Sequence, residues 1–145
     1  MEEWMEKMRR WCSQQERSTH GARRKLQRAL VDAETATAVV RALVEEGFLS
    51  DERFLDSYVR THMEYKRWGP RKIAQGLREV GFAGYEAEKA LNQVDGHRFR
   101  EILAALVERR KPELAEKRER VIRYLLGRGF LVNEVLRAIE EAEER

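Results

Sequence analysis

Three stretches of the chain concentrate cations in a way that suits binding to a polyanion. They hold Arg17, Arg23, Arg24, Lys25 and Arg28, then Lys66, Arg67, Arg71 and Lys72, then Arg109, Arg110, Lys111, Lys117, Arg118 and Arg123. Grouped cations sum to a field that attracts phosphates or carboxylates over a long range. Other chemistry finds little support. His20, His62 and His97 lie far apart in sequence, with no nearby cysteine or acid at metal-ligand spacing, so no metal site is expected. No phosphate-cradling glycine loop and no nucleophile motif occurs, so neither a cofactor nor an enzymatic activity is expected. Asp51, Glu52 and Asp56 cluster where a helix begins, which is the pattern of capping and dipole compensation. Cys12 reads as a small packing residue between Trp11 and Ser13.

These cations sit on a chain that is helical nearly throughout. Glycine and proline are sparse and strand patterning is almost absent, which favours an all-α protein. In "PRKIAQGLREVGF", Pro70 suits a first helical turn, Ile73, Ala74, Leu77 and Val80 share one face, and Gly81 ends the helix. Upstream, Ser50 and Asp51 open a helix whose stripe is Phe54, Leu55, Tyr58, Val59 and His62. Downstream, "GYEAEKALNQV" makes a short third helix. The unit is therefore a long, a medium and a short helix.

The unit repeats. "PRKIAQGLREVGFAGYEAEKAL" aligns without gaps on "RERVIRYLLGRGFLVNEVLRAI", placing Ile73 on Val121, Leu77 on Leu125 and Gly81-Phe82 on Gly129-Phe130. "ARRKLQRALVDAETATAVVRAL" matches through Leu26, Leu30 and Leu43, with one residue fewer and no glycine in the turn. The expected architecture is three tandem three-helix units, 1–49, 50–94 and 95–145, forming an elongated, curved row. Long helices are expected over 3–17, 51–67 and 96–110, medium ones over 19–31, 70–80 and 114–127, and short ones over 34–46, 84–93 and 132–143. Phe54, Tyr58, Phe99, Leu103, Tyr124 and Phe130 read as core.

Charge separates by helix class. The windows 17–30, 66–80 and 109–123 together carry a net +13, whereas the short third helices total −6. Basic residues thus recur at one place in each unit and acids at another. Stacked units would align the basic places into a stripe, unless each is simply a solvated helix face. Trp68-Gly69-Pro70 turns a tight corner with cations on both sides. Trp68 either packs over that corner as a small core or stands out as an anchor for a partner.

The segment "EEGFLSDERFLDSYVRTHMEYKRWGPRKIAQGLREVGFAGYEAEKAL" resembles the RecX family, bacterial regulators of the RecA recombinase. It carries a Gly-aromatic-Leu turn, an acidic start with Arg-Phe, and a basic Gly-Pro turn followed by Ile and Leu. "EKRERVIRYLLGRGF" resembles the family's third unit, and Ser18 with Lys25-Leu26 fits the first. There the family's usual Glu-Leu is replaced by Gly21-Ala22.

The resemblance implies an all-helical, non-enzymatic cytoplasmic protein that binds RecA–DNA filaments in their groove. It would modulate, and most often dampen, RecA's ATPase, strand-exchange and coprotease activities in recombination and the SOS response. The expected contact set is Arg23, Arg24, Lys25, Arg28, Lys66, Arg67, Trp68, Arg71, Lys72, Arg109, Arg110, Lys111, Lys117, Arg118 and Arg123.

A monomer is expected, because a capped row of repeats needs no self-association. No membrane partner is expected, since no apolar run is long enough to span a bilayer and the N-terminus is charged throughout. A single cysteine suits a reducing compartment. The alternatives are a helical protein that contacts DNA phosphates directly and a helical adaptor for another protein. The acidic third helices argue against reading of the major groove by a last helix.

Overall fold

The computed structural model describes residues 1–145 and contains nine α-helices and no strand. They are α1 (Glu2–Gln14), α2 (Thr19–Arg28), α3 (Ala33–Glu45), α4 (Asp51–Glu64), α5 (Pro70–Glu79), α6 (Gly84–Asn92), α7 (Gly96–Arg110), α8 (Leu114–Gly127) and α9 (Val132–Glu144), with a single 3-10 turn at Lys111–Glu113. The expected long, medium, short order holds for α4–α6 and α7–α9, whereas α1, α2 and α3 have 13, 10 and 13 residues, so the first third departs from it. Three expected helices end three residues early. α1 stops at Gln14, where Gln15 turns fully extended, α2 stops at Arg28, ahead of Leu30 with its left-handed φ of 62°, and α4 stops at Glu64, ahead of Arg67 with its left-handed φ of 59°. Arg17, Lys66 and Arg67 therefore lie on connections, not helices. No helix is long and apolar enough to cross a membrane.

The chain forms two compact units, Met1–Ser57 and Tyr58–Arg145. In the first, α1 buries Met5, Met8 and Cys12 against Leu26 of α2 and Val39, Val40 and Leu43 of α3. The starts of α2 and α3 are closed by side chains. Buried Ser18 accepts the Gly21 amide at 2.9 Å, and Asp32 accepts the Thr35 amide at 3.0 Å. The Asp51 carboxylate takes both the amide and the hydroxyl of Thr19, at 2.8 and 3.0 Å. Such caps satisfy amides that have no partner inside the helix, at about 1 kcal/mol each.

In the second unit α5 packs against α6, and α7, α8 and α9 pack against one another. Ile73 and Leu77 of α5, Ile102 and Val107 of α7, Val121 and Leu125 of α8, and Val135 and Ile139 of α9 are at most 1% exposed. Truncating any one of the leucines or isoleucines to alanine is expected to cost about 2–5 kcal/mol.

The medium helices end alike. The Leu26, Leu77 and Leu125 carbonyls accept the amides of Val31, Phe82 and Phe130, while the residue between, Leu30, Gly81 or Gly129, has φ of 62°, 99° or 99°. This is the left-handed helix stop that glycine adopts without penalty. The first repeat, which lacks the glycine, imposes the same backbone on a leucine.

Candidate polyanion-binding interface

The corner between α4 and α5 begins where α4 unwinds. The amides of Tyr65 and Lys66 still reach back to the Thr61 carbonyl, and Trp68 reaches the His62 carbonyl at 3.0 Å. Gly69 then precedes Pro70, the first residue of α5, whose missing N–H costs nothing there. The amides of Gly69 and Arg71 are satisfied from a distance in sequence. They donate to the carbonyls of Arg128 and Gly129 at 2.6 and 3.0 Å. The α8–α9 turn thus caps the start of α5 with main-chain carbonyls.

That contact needs two glycines. A β-carbon on Gly69 would lie 2.5 Å from the carbonyl carbon of Gly129, and one on Gly129 would collide with Lys72. Arg128 reinforces the contact with its side chain. Its Nε donates to the Arg67 carbonyl at 3.3 Å, and its Nη2 donates to the Lys66 carbonyl.

Trp68 is half-buried over this corner, so the packing alternative describes its surroundings. Tyr58, His62 and Trp68 form a ladder of rings, with centroids 3.8 Å apart between the first two and 4.6 Å between the second two. The Lys72 ammonium stands 4.6 Å from the Trp68 ring, close enough for a cation–π attraction. His62 Nδ1 lies 2.7 Å from the Tyr58 carbonyl, so that nitrogen carries a proton. Gly76 leaves the space in which the Tyr58 hydroxyl sits. His62 is therefore a packing residue on a helix face.

The other expected cations fall into different settings. Arg23, Arg24, Lys25 and Arg28 are exposed on α2, which carries no acid. Arg17 lies against the Trp11 ring at 4.2 Å, and Lys25 is 5.3 Å from the same ring. Lys66, Arg67 and Arg71 are exposed. Arg71 and Lys72 line a groove of about 290 Å³ with Gln75, Arg78 and the α8–α9 turn. Arg109, Lys117 and Arg123 are exposed and Lys111 is half-buried.

Two of the expected cations are paired with carboxylates of the protein itself. Arg118 pairs with Glu143 at 2.8 Å, and Arg110 pairs with Glu113 at 3.4 Å while lying 3.6 Å from the Tyr124 ring centre. Tyr124, expected in the core, is only half-buried because it serves as a platform for guanidinium groups. Arg128 is 5.9 Å from the same ring. Phe54, Tyr58 and Phe99 are likewise only partly covered, whereas Leu103 and Phe130 are buried as expected.

The α4–α5 corner and the α7–α8 corner are consequently joined. Arg110 lies on Tyr124, Tyr124 lies beside Arg128, and Arg128 holds the carbonyls of Lys66 and Arg67. Sequence reasoning had no place for Arg128. A signal did exist, since Arg128 occupies the position of Val80 in the second repeat, just before the turn glycine. A cation replacing an aliphatic residue at an otherwise matching turn marks a contact outside the repeat.

The profile of the family domain described as "RecX, second three-helix domain" matches residues 50–91, the segment from the start of α4 through most of α6. A protein named regulatory protein RecX from Pseudomonas syringae pv. tomato is 32% identical over 111 residues, covering 74% of this chain and 70% of its own length. The regulatory protein RecX of Halorhodospira halophila is 33% identical over 109 residues, covering 73% and 67%. Among solved structures, RecX from Lactobacillus salivarius superposes with a TM-score of 0.84 at 21% identity, over 100% of both chains. A second, described as regulatory protein RecX, gives 0.79 at 22% identity, over 99% of this chain and 71% of the other. At those identities the structures show that the fold is shared.

Proposed function

The chain belongs to the RecX family of regulatory proteins, and from that premise we propose that it binds RecA–DNA filaments and dampens RecA's recombinase, ATPase and coprotease activities. It does so without catalysis of its own, in the cytoplasm, as a monomer built from units 1–49, 50–94 and 95–145. The contacts are Arg23, Arg24, Lys25 and Arg28 on the first unit and Lys66, Arg67, Trp68, Arg71 and Lys72 on the second. On the third they are Arg109, Arg110, Lys111, Lys117, Arg118 and Arg123.

One observation carries the reading. Lys66, Arg67 and Arg71 are exposed on a corner whose backbone is held at both ends, by the α4 carbonyls and by the α8–α9 turn. Cations on a fixed backbone lose little freedom on binding, so more of their attraction is kept as affinity. A ligand shifts an equilibrium only by its differential affinity for the two states. Contacts spread along a filament therefore oppose its growth or rearrangement when they fit one filament state better than another.

A second reading has its own observation. α2 carries four exposed cations and no acid, which suits direct phosphate contact with DNA. Co-sedimentation with RecA filaments, compared with bare single-stranded DNA over a salt series, tests both. The proposed function predicts retention on the filament at salt concentrations that strip the protein from bare DNA. Equal retention on the two, with the same steep salt slope, would establish the DNA-binding reading in its place.

A further inference from the structure

Arg128 makes three of the contacts that shape the α4–α5 corner, yet it belongs to neither the repeat pattern nor the cation stripe. Its guanidinium donates to two successive carbonyls, those of Lys66 and Arg67, 62 and 61 residues away. Its own carbonyl accepts the Gly69 amide at 2.6 Å. Arg67 between these contacts is held at φ 59°, a conformation that a residue with a β-carbon adopts at a cost of about 1–2 kcal/mol. Such a conformation persists only where its surroundings over-determine it. The planar fork of an arginine spans two adjacent carbonyls, whereas a lysine ammonium is a single point charge and cannot hold both in a fixed orientation.

We propose that Arg128 is a positioning residue: it locks the Lys66–Arg67 backbone in the left-handed turn and so sets the direction in which those two cations meet a polyanionic partner. Its contribution is geometric rather than that of one more positive charge. Through Tyr124 it also ties that corner to Arg110. The proposal rests on the filament-binding reading for its functional consequence, but its structural half stands on the free protein.

Two measurements test it, with the variants Arg128→Lys and Arg128→Gln, and Arg137→Gln as the control for loss of an exposed charge elsewhere. The first is residue-resolved amide hydrogen exchange by NMR on the free chain. Both Arg128 variants should speed exchange at Gly69 and Arg71 by about tenfold or more, the scale of losing charge-assisted hydrogen bonds. The amides of α7 and α9 should keep wild-type rates. Unchanged exchange at Gly69 and Arg71 overturns the proposal.

The second is affinity for RecA filaments on single-stranded DNA, in the wild-type background and in one where both Lys66 and Arg67 are changed to Gln. Arg128→Lys should weaken binding as much as Arg128→Gln in the wild-type background, and have little further effect once both cations are gone. Wild-type affinity for Arg128→Lys would mean that Arg128 acts only as a charge, which contradicts the proposal. If the exchange result holds while the wild-type chain itself shows no affinity for filaments, the positioning role of Arg128 stands and the filament-binding reading fails.

Discussion

Gly69 and Gly129 meet backbone to backbone, with no room for a side chain on either. A β-carbon on Gly69 would stand 2.5 Å from the Gly129 carbonyl carbon, inside any tolerable contact, and the atoms it meets belong to main chain. Gly69→Ala is therefore expected to destabilise the protein by about 1–3 kcal/mol through overpacking alone. Gly129→Ala should cost more, because it adds a left-handed φ of 99° to the collision with Lys72. Urea unfolding checks this through a lower midpoint at an unchanged slope. A wild-type midpoint for both variants would mean that the two turns do not touch in solution.

Leu30 calls for the opposite substitution. It holds φ 62° at the turn where the later repeats use Gly81 and Gly129, and its side chain is 91% exposed. Leu30→Gly removes the left-handed penalty and loses almost no buried surface. The gain is offset in part by the greater freedom of glycine in the unfolded chain. The expected result is a net stabilisation of about 1 kcal/mol, read as an upward shift of the thermal midpoint. Destabilisation would show that the Leu30 side chain packs in solution.

Glu64 and Arg98 form a two-pronged pair with both contacts at 2.6 Å. The arginine holds the Glu64 carboxyl below its ordinary range, first through those hydrogen bonds and then through its charge. A carboxyl whose folded pKa is depressed adds stability above its unfolded pKa and loses it as pH falls through the folded one. The stability difference between wild type and Glu64→Gln should thus be full at neutral pH. It should shrink as pH falls below about 4.3, the unperturbed glutamate value. Unfolding curves across that range test it, and a difference independent of pH would contradict the pairing.

Cys12 is buried in the first unit, and burial pushes its thiol up from the ordinary range. Since the thiolate is the reactive form, labelling by a thiol reagent should be slow in the native protein and should accelerate with added denaturant. Fast native labelling would place Cys12 at the surface.

Much of this architecture was legible because local chemistry and packing agree. Pro70 after Gly69, the Ile73–Leu77 face and Gly81 mark α5 within one residue of its observed span. The same signals, repeated, mark α8 at the bounds the sequence predicts. What escaped notice depends on distant partners. Nothing in "EYKRWG" announces that Arg67 turns left-handed, because the forces that hold it there come from Arg128 across the fold. Tyr124 sits at core spacing, but two guanidinium groups compete for its ring and keep it near the surface. Arg110 and Arg118 look in the sequence like cations available to a partner, while in the structure each is answered by a carboxylate, Glu113 or Glu143.

The central claim is that the exposed corner cations carry the regulation of RecA. The most direct measurement is ATP hydrolysis by RecA on single-stranded DNA at sub-stoichiometric amounts of this protein. It compares wild type with a chain in which Lys66, Arg67 and Arg71 are changed to Glu. Lys72 stays, because its ammonium lies over Trp68 and its loss would disturb the corner itself. With circular dichroism confirming that the variant is folded, wild type should suppress hydrolysis and the variant should leave it at the RecA-only rate. Equal suppression by both chains would contradict the claim.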